Sequence, residues 1–210
     1  MDFHETYLKD AYVINLDPHV DMRGSFVRLF CKDEFKAIGF KKKFVQINYV
    51  VNKHKQTFRG FHFQLPPYAE TKLIRCVQGK VQDYIIDIRE GSPTFLKSFT
   101  IELSENNLQM LLIPKGFAHG YITLEDNSTL IYFHTALYKP GYESGLRYND
   151  TSLNIGLPAE PEIISERDLL WPLINESMFN GIQIKESKRK FIQFPGLKSH
   201  IENDKHHSHN

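Results

Sequence analysis

Short apolar stretches alternate with polar or glycine- and proline-rich breaks through the middle of the chain. The stretches are rich in Val, Ile, Leu, Phe and Tyr, which favour β-strands, and the breaks contain the residues that are typical of turns. Many short strands at regular spacing are typical of a β-sandwich or barrel rather than a layered α/β fold. We therefore predict an all-β fold with strands over residues 43–51, 57–65, 71–77, 80–88, 97–103, 108–113, 119–124 and 128–138.

The breaks between the strands predict a tight turn and two short helices. Gln78-Gly79-Lys80 predicts a hairpin turn. Residues 33–38 predict a helix that ends at Gly39, because glycine readily adopts the left-handed conformation that closes helices. Residues 165–168 have the Ser-x-x-Asp pattern of a capping box, and the following Trp171-Pro172 would limit that second helix.

The apolar pattern decays from about Asn175, after which lysine and histidine become frequent. Without a linker earlier in the chain, we predict one domain over residues 1–174 and a polar extension over residues 175–210. Such a polar terminus is expected to be solvated and mobile. A metal-binding or partner-docking role for its histidines is the alternative.

Charge and cysteine content exclude several classes of function. The 26 basic and 25 acidic residues give a formal net charge of +1, which indicates neither nucleic-acid nor membrane binding. Cys31 and Cys76 form no metal-binding or redox motif. Charged residues occur throughout the first twenty positions, which argues against a secretory signal. No stretch approaches the roughly 20 apolar residues of a membrane span. We expect a soluble protein of the cytoplasm.

The segment Phe58–Gln64 contains the first candidate for chemistry. Alternation along a strand places His62 and Gln64 on one face, with two phenylalanines on the other face and in the core. An imidazole with an ordinary pKa near 6.5 can act as a base at neutral pH, although a structural histidine fits this segment equally well. Simple alternation separates Arg59 from His62, but a bulge at Gly60 would bring both to one site.

Three further residues could line the same cavity. His119 lies between Gly116 and Gly120 at a sharp turn, where it is either presented into a cavity or incidental. Tyr132 shares a strand face with His134, and its phenol would be protonated at neutral pH and able to donate a proton. The simpler interpretation of Tyr132 is a sheet tyrosine that reaches water. Lys72 could point inward as a fixed positive charge, although most lysines are solvated.

Together these segments resemble the dTDP-4-dehydrorhamnose 3,5-epimerase family. The resemblance covers roughly residues 21–172, most of the chain, and its specificity lies in the order and spacing of pieces that are weak alone. These pieces are Asp21-Met22-Arg23-Gly24-Ser25-Phe26, Gln46-Ile47-Asn48, Arg59-Gly60-Phe61-His62-Phe63-Gln64, Lys72-Leu73, Asp87-Ile88-Arg89, Gly91-Ser92-Pro93-Thr94-Phe95, Pro114-Lys115-Gly116-Phe117-Ala118-His119-Gly120, Tyr132, Tyr138, Glu143, Asn149-Asp150 and Ser165-Glu166-Arg167-Asp168.

The resemblance implies a cupin-type jelly roll, usually a homodimer that exchanges N-terminal strands, with no cofactor and no metal. The implied reaction inverts C3, C5 or both of a nucleotide-linked 4-keto-6-deoxy sugar through an enolate, in deoxysugar biosynthesis. By resemblance, His62 is the base, Asp168 orients it, Tyr132 is the acid on the opposite face, and Lys72 lies near the 4-oxygen. The implied substrate-binding residues are Arg23, Phe26, Gln46, Asn48, Arg59, His119, Tyr138 and Glu143, some of them supplied across the dimer.

The sequence departs from the family pattern at two places. Residues 49–52 are Tyr-Val-Val-Asn where the family often continues Asn-x-Ser-x-Ser, and position 28 is Arg where well-known members have a glutamate near the base. These departures leave open whether the nucleobase of the substrate is thymine, and whether one or two carbon centres are inverted.

Two alternatives come from other classes. A metal-dependent cupin enzyme could use His62, Glu70 and His119, but it usually has a second histidine where this chain has Gln64, a poor substitute for imidazole. A nucleotide-sugar-binding module without catalysis is the other alternative. The presence together of the residues matched to the base, its partner carboxylate, the acid and the lysine argues against that module.

Overall fold

A computed structural model describes residues 1–184, which form two antiparallel β-sheets packed against each other. The strands are β1 Asp2–Glu5, β2 Tyr12–Asn15, β3 Pro18–Asp21, β4 Gly24–Val27, β5 Gln46–Asn52, β6 Phe58–Gln64, β7 Lys72–Gln78, β8 Lys80–Asp87, β9 Ser98–Ser104, β10 Gln109–Ile113, β11 Phe117–Thr123, β12 Ser128–His134 and β13 Glu143–Gly145. One sheet has the strand order β1-β2-β10-β7-β12-β5, the other has the order β13-β6-β11-β8-β9, and β3 and β4 form a separate hairpin.

The helices of the described chain are short. They are α1 Lys32–Phe35, α2 Glu166–Leu169 and α3 Ile174–Ser177, with 3₁₀ turns at Lys36–Ile38 and Thr151–Leu153. Gly39 closes the first helical segment with φ of 74°, as predicted. Ser165 caps α2 by accepting a hydrogen bond from the Asp168 backbone N–H at 3.2 Å. Within residues 1–184, no helix is long and apolar enough to cross a membrane.

All eight predicted strands are present, with ends that differ by a few residues. The largest difference is in β12, which ends at His134 rather than at residue 138. The four N-terminal strands and β13 were not predicted. Each has only three or four residues, and most of their side chains are exposed or half-buried, so they lack the apolar run on which the prediction depended.

The hairpin predicted at Gln78-Gly79-Lys80 is wrong, although the tight turn exists. Strands β7 and β8 belong to different sheets, so the turn is a corner at which the chain crosses the sandwich. Gly79 has φ of 69°, and a Cβ there would approach Ser128 Oγ to 2.7 Å. Glycine permits this corner because it tolerates positive φ and adds no side chain.

Apolar side chains are buried between the two sheets and also on much of the outer face of each sheet. The central core, between the sheets, includes Ile74, Leu111 and Leu130 from one sheet and Ile85 and Tyr121 from the other. The outer face of the six-stranded sheet is covered by an aromatic cluster of Phe30, Phe35, Phe40, Phe44 and Phe133. The outer face of the five-stranded sheet is covered by Leu146, Leu153, Ile174 and Ile182.

The packed chain extends beyond residue 174, where the sequence placed the start of the extension. Ile182 is buried, its N–H donates to the Ile88 carbonyl at 2.8 Å, and its own carbonyl accepts from the Glu90 N–H. Residues 175–184 are therefore held against the five-stranded sheet by backbone hydrogen bonds and apolar contacts. The remainder of the predicted extension, residues 185–210, lies outside the described residues.

Candidate active site

A cavity of about 440 Å³ opens between the two sheets. The strands that form its walls are β5, β7 and β12 of one sheet and β6 and β11 of the other. Most of the predicted site residues line it, namely Gln46, Asn48, Arg59, His62, Lys72, His119, Tyr132, Tyr138 and Glu143. A concave site of this size, lined by a few convergent polar groups, is typical of a small-molecule pocket.

His62 lines the cavity and is paired with a buried carboxylate behind it. Its Nε2 lies 2.6 Å from Oδ1 of Asp168, whose side chain is 3% exposed. The other oxygen, Oδ2, accepts from the Gly60 N–H at 3.4 Å. Burial raises the pKa of Asp168, but the hydrogen bond and charge of His62 and the Gly60 N–H outweigh this and hold its pKa below the ordinary value. The carboxylate therefore stays ionised and fixes the orientation of the imidazole.

A bulge in β6 brings Arg59 and His62 to the same cavity, as the glycine between them predicted. His62 faces His119 across the sheet, whereas Arg59 faces Tyr121, so three steps along β6 match two along β11. Gly60 has φ of 144°, and a Cβ at that position would lie 2.5 Å from the Gly120 Cα. Only glycine fits this close approach of two strands.

Lys72 points into the cavity, as predicted by the interpretation of this residue as a fixed positive charge rather than a solvated lysine. Its side chain is 11% exposed, and its Nζ donates to the His62 carbonyl at 3.3 Å. The same ammonium lies 3.7 Å from the Glu70 carboxylate. A largely buried cation thus stands beside the candidate base, where it can stabilise negative charge that develops on a bound molecule.

His119 is buried against an acid that sequence analysis did not single out. Its Nε2 lies 2.9 Å from Oδ2 of Asp83, and both side chains are almost fully buried. Burial lowers the pKa of His119 and raises that of Asp83. An acid in the middle of the apolar strand β8 was the available signal, because a buried carboxylate requires a partner.

Tyr132 lines the wall opposite His62, since β12 and β6 belong to opposing sheets. Its phenol interacts electrostatically with that of Tyr121, whose hydroxyl donates to Asn52 Oδ1 at 3.1 Å. Arg59 Nε donates to the same Asn52 oxygen at 2.8 Å. Burial raises the pKa of Tyr132 well above its ordinary value of 10, so the phenol keeps its proton. Tyr121 and Asn52 were not predicted from the sequence as site residues.

The cavity mouth is lined by polar groups that contact one another. Gln46 Nε2 donates to Asn48 Oδ1 at 3.1 Å, and its Oε1 accepts from the Tyr138 backbone N–H at 3.1 Å. Glu143 Oε2 accepts from Arg167 at 2.6 Å and lies 3.4 Å from the Tyr138 hydroxyl. These side chains are suited to hold polar groups of a ligand that enters the cavity.

Two predicted binding residues, Arg23 and Phe26, do not line the cavity within this chain. Both lie on the β3–β4 hairpin, where the Phe26 ring is 69% exposed and Arg23 Nε donates to the Asp21 carboxylate at 3.0 Å. Arg28, the departure noted above, also lies outside the cavity and pairs with Glu34 at 2.8 Å.

The three side chains that a metal-dependent cupin would use do not converge. His62, Glu70 and His119 each make their closest polar contact with a different protein side chain. Among residues 1–184, no group of three or more His, Cys, Asp or Glu side chains is arranged to hold a metal ion. The Gln64 amide is also engaged in protein contacts, because it donates to the Tyr68 and Leu137 carbonyls.

Comparisons with known proteins agree with this geometry. The profile of the dTDP-4-dehydrorhamnose 3,5-epimerase family matches residues 5–176. The dTDP-4-dehydrorhamnose 3,5-epimerase of Shigella flexneri is 38% identical over 170 residues, which cover 80% of this chain and 93% of that protein. The crystal structure of the Bacillus anthracis dTDP-4-dehydrorhamnose 3,5-epimerase with TDP and PPi bound is 37% identical, has a TM-score of 0.80 and covers 82% of this chain and 98% of its own.

A mono-epimerase is also similar. The structure of ChmJ, a 3'-monoepimerase from Streptomyces bikiniensis in complex with dTDP-quinovose, is 26% identical with a TM-score of 0.77, covering 83% of this chain and 89% of its own. The resemblance inferred from the sequence, and the cupin-type jelly roll that it implied, are thus confirmed. The chain belongs to the dTDP-4-dehydrorhamnose 3,5-epimerase family.

Proposed function

We propose that this protein is an epimerase that inverts C3, C5 or both of a nucleotide-linked 4-keto-6-deoxy sugar. The observation that supports this most strongly is the placement of two proton-transfer groups on opposing walls of one cavity. His62, backed by an ionised carboxylate, lies on the five-stranded sheet, and Tyr132, with a raised pKa, lies on the six-stranded sheet. Inversion of a carbon centre requires removal of a proton from one face and delivery to the other.

The first step is removal of a proton from carbon beside the ketone. The ketone at C4 makes the hydrogens at C3 and C5 acidic, so His62 can take one of them as a general base. The C–H electron pair then forms the enolate double bond, and negative charge moves to the 4-oxygen. The Lys72 ammonium, held at 3.3 Å from the His62 carbonyl, stabilises that oxygen.

The second step is delivery of a proton from the opposite face. The raised pKa keeps the Tyr132 phenol protonated, and the carbanion of an enolate is basic enough to take that proton. The new C–H bond has the inverted configuration. The turnover ends with a protonated His62 and a Tyr132 phenolate, and both return to their starting states by exchange with solvent.

Asp168 acts through His62 rather than on the sugar. The imidazole becomes a cation when it takes the proton, and the Asp168 carboxylate at 2.6 Å stabilises that cation. We assign Arg59 and His119 to polar contacts with the sugar and the diphosphate. The side chains at the cavity mouth, Gln46, Asn48, Tyr138 and Glu143, would bind the remaining parts of the nucleotide sugar.

We propose thymidine diphosphate as the nucleotide. The TDP-bound Bacillus anthracis structure and the ChmJ complex with dTDP-quinovose support this. Arg28 pairs with Glu34 and lies outside the cavity of its own chain. No cofactor is needed for the proton transfers described.

We also propose a homodimer in which the β3–β4 hairpin of one copy completes the cavity of the other. The hairpin presents Arg23 and an exposed Phe26 to solvent. On edge strand β5, the face that points away from the cavity has the exposed apolar side chains of Ile47, Tyr49 and Val51, and Val45, just before the strand, is exposed as well. Such a stripe is typical of a protein interface.

A cytoplasmic location is consistent with two unpaired cysteines.

The test is turnover of dTDP-4-keto-6-deoxyglucose, with the GDP- and CDP-linked sugars as comparisons. Epimerised product from the dTDP sugar, formed faster than from the other two, would support the whole proposal. Faster turnover of another nucleotide sugar would keep the reaction and overturn the nucleotide. Binding without turnover in folded protein would favour the binding module, and activity lost to a chelator and restored by metal would favour the metal-dependent cupin.

A further inference from the structure

A buried hydrogen bond between Glu70 and His134 connects the cavity mouth to Lys72. Strand β12 lies between β7 and β5, and His134 is the register partner of Lys72 on one side and Gln46 on the other. Directly opposed side chains on one sheet face have Cβ atoms about 5 Å apart. The sheet therefore places an imidazole between the candidate oxyanion cation and the candidate binding amides.

The outer part of this connection is a run of directed hydrogen bonds. The Tyr138 N–H donates to Gln46 Oε1 at 3.1 Å, and Gln46 Nε2 donates to Asn48 Oδ1 at 3.1 Å. The backbone donor fixes the orientation of the first amide, and that amide fixes the second. Asn48 Nδ2 therefore faces His134 Nε2 at 3.2 Å, and since an amide nitrogen only donates, Nε2 is the acceptor.

The inner part follows from this direction. When Nε2 of a neutral imidazole accepts, Nδ1 has the proton, and His134 Nδ1 lies 2.9 Å from Glu70 Oε2. The other carboxylate oxygen, Oε1, lies 3.7 Å from Lys72 Nζ. Every donor in the series has an acceptor ahead of it, from the Tyr138 N–H to the Glu70 carboxylate.

Burial makes these contacts decisive, because little water is present to replace a missing partner. The side chains of Glu70, His134 and Lys72 are 8%, 10% and 11% exposed. Burial raises the pKa of Glu70, but the His134 hydrogen bond and the Lys72 charge outweigh it and hold that pKa below its ordinary value. Glu70 is therefore a carboxylate, and its charge fixes the ammonium in place.

The ammonium of Lys72 has three N–H donors. One is directed to the His62 carbonyl at 3.3 Å, and a second faces Glu70. The third is left for an oxygen in the cavity. Fixing two donors thus aims the third, and loss of Glu70 or of its support from His134 would free the lysine to rotate.

We propose that Glu70 and His134 are positioning residues of this enzyme, with a different role for each ring nitrogen of His134. Through Nδ1 and Glu70, His134 aims Lys72 at the developing oxyanion and so affects the chemical step. Through Nε2 and Asn48, it holds the amides at the cavity mouth and so affects substrate binding. This inference rests on the epimerase function proposed above.

Two substitutions separate the two roles. His134→Asn keeps a donor near the position of Nδ1 and removes the group at Nε2, whereas His134→Gln extends an amide toward the position of Nε2 and removes the donor at Nδ1. We expect His134→Gln to lower kcat by roughly tenfold to a hundredfold, as for a misaimed catalytic group, with a smaller change in KM. We expect His134→Asn to raise KM by roughly fivefold, equivalent to one neutral hydrogen bond, with a smaller change in kcat.

Glu70→Gln is the companion variant, because it keeps the shape of the side chain and removes its charge. It should reproduce the kcat loss of His134→Gln. The inference would be overturned if the two His134 variants showed the same fall in kcat and the same rise in KM, or if kcat were unchanged in Glu70→Gln. Thermal melting of each variant shows whether a loss reflects unfolding instead.

A measurement on the unsubstituted protein tests the same arrangement without turnover. The ¹⁵N chemical shifts of the His134 ring, assigned through bonds, should show a proton on Nδ1, which faces Glu70, and none on Nε2, which faces Asn48. A proton on Nε2 would overturn the series of hydrogen bonds. A wild-type protein that turns over no nucleotide sugar would contradict the proposed function, whereas the ring shifts would still decide whether His134 links Glu70 to Asn48.

Discussion

The pairing of His62 with a buried carboxylate can be tested by the substitution Asp168→Asn. The Asp168 side chain is 3% exposed and lies 2.6 Å from His62 Nε2. Its second oxygen accepts from the Gly60 N–H. Asparagine has nearly the same shape and can keep one hydrogen bond, but it has no negative charge to oppose the imidazolium that forms when His62 takes a proton.

The magnitude follows from the charge that is removed. The centres of an imidazolium and a carboxylate in contact lie roughly 4 Å apart, where two unit charges interact by about 4 kcal/mol at an effective dielectric constant of about 20. Loss of about 4 kcal/mol from the transition state lowers a rate by roughly 10³-fold. Before proton transfer the imidazole is neutral, so we expect kcat to fall by this amount while KM changes little.

The assay is turnover of the dTDP-4-keto-6-deoxy sugar, with Asp150→Asn as a matched control. Asp150 is also a buried carboxylate, but it accepts from the backbone N–H groups of Ser152 and Ile174 and does not line the cavity. Its substitution should lower the free energy of unfolding and leave kcat of the folded enzyme unchanged. A loss in Asp168→Asn of less than about tenfold, or an equal loss in the control, would refute the reasoning.

Three further substitutions have distinct expected outcomes. Tyr132→Phe should lower net epimerisation by roughly 10²–10⁴-fold while His62 still exchanges sugar hydrogen for solvent deuterium; equal loss of both, measured by NMR, would contradict separate roles. Gly60→Ala should lower the free energy of unfolding by roughly 1–3 kcal/mol in urea titrations, because the new Cβ would overlap the neighbouring strand. The control Gly156→Ala, where a Cβ meets nothing within 4 Å, should change the free energy of unfolding little, and equal effects of the two substitutions would contradict this. Burial raises the pKa of Asp87, but hydrogen bonds from its neighbours outweigh this and hold the pKa below its ordinary value. The stability that Asp87 contributes is therefore present above pH about 4 and is lost as pH falls further. In Asp87→Asn, the free energy of unfolding should fall less on acidification than in the wild type, and an equal fall would contradict the assignment.

Local patterns in the sequence predicted which side chains enter the cavity. Alternation along β12 placed Tyr132 and His134 on one face, and both line the cavity. The glycine in Phe58–Gln64 indicated a bulge, and the register shift there brings Arg59 beside His62. These predictions succeeded because the direction of a side chain on a strand depends only on nearby residues and on bulges that glycine marks.

Contacts between distant segments could not be predicted from such patterns. Asp83 was missed because its partner His119 lies on another strand, 36 residues away. The pair of Glu70 and His134 is separated by 64 residues and depends on the register of β7 with β12. The turn at Gly79 was taken for a hairpin because a tight turn looks the same in sequence whether the next strand pairs in the same sheet or crosses to the other.

The most direct measurement is the fate of the hydrogens at C3 and C5 when dTDP-4-keto-6-deoxyglucose is incubated with the enzyme in deuterated water. NMR should show deuterium at C3, C5 or both, in product of inverted configuration, with His62→Ala as the variant that abolishes exchange. Deuterium at both carbons would establish a double epimerase, and deuterium at one would establish a mono-epimerase. No exchange in folded wild-type protein, or exchange in His62→Ala at the wild-type rate, would contradict proton transfer by His62 and Tyr132 on opposite faces of a 4-keto sugar.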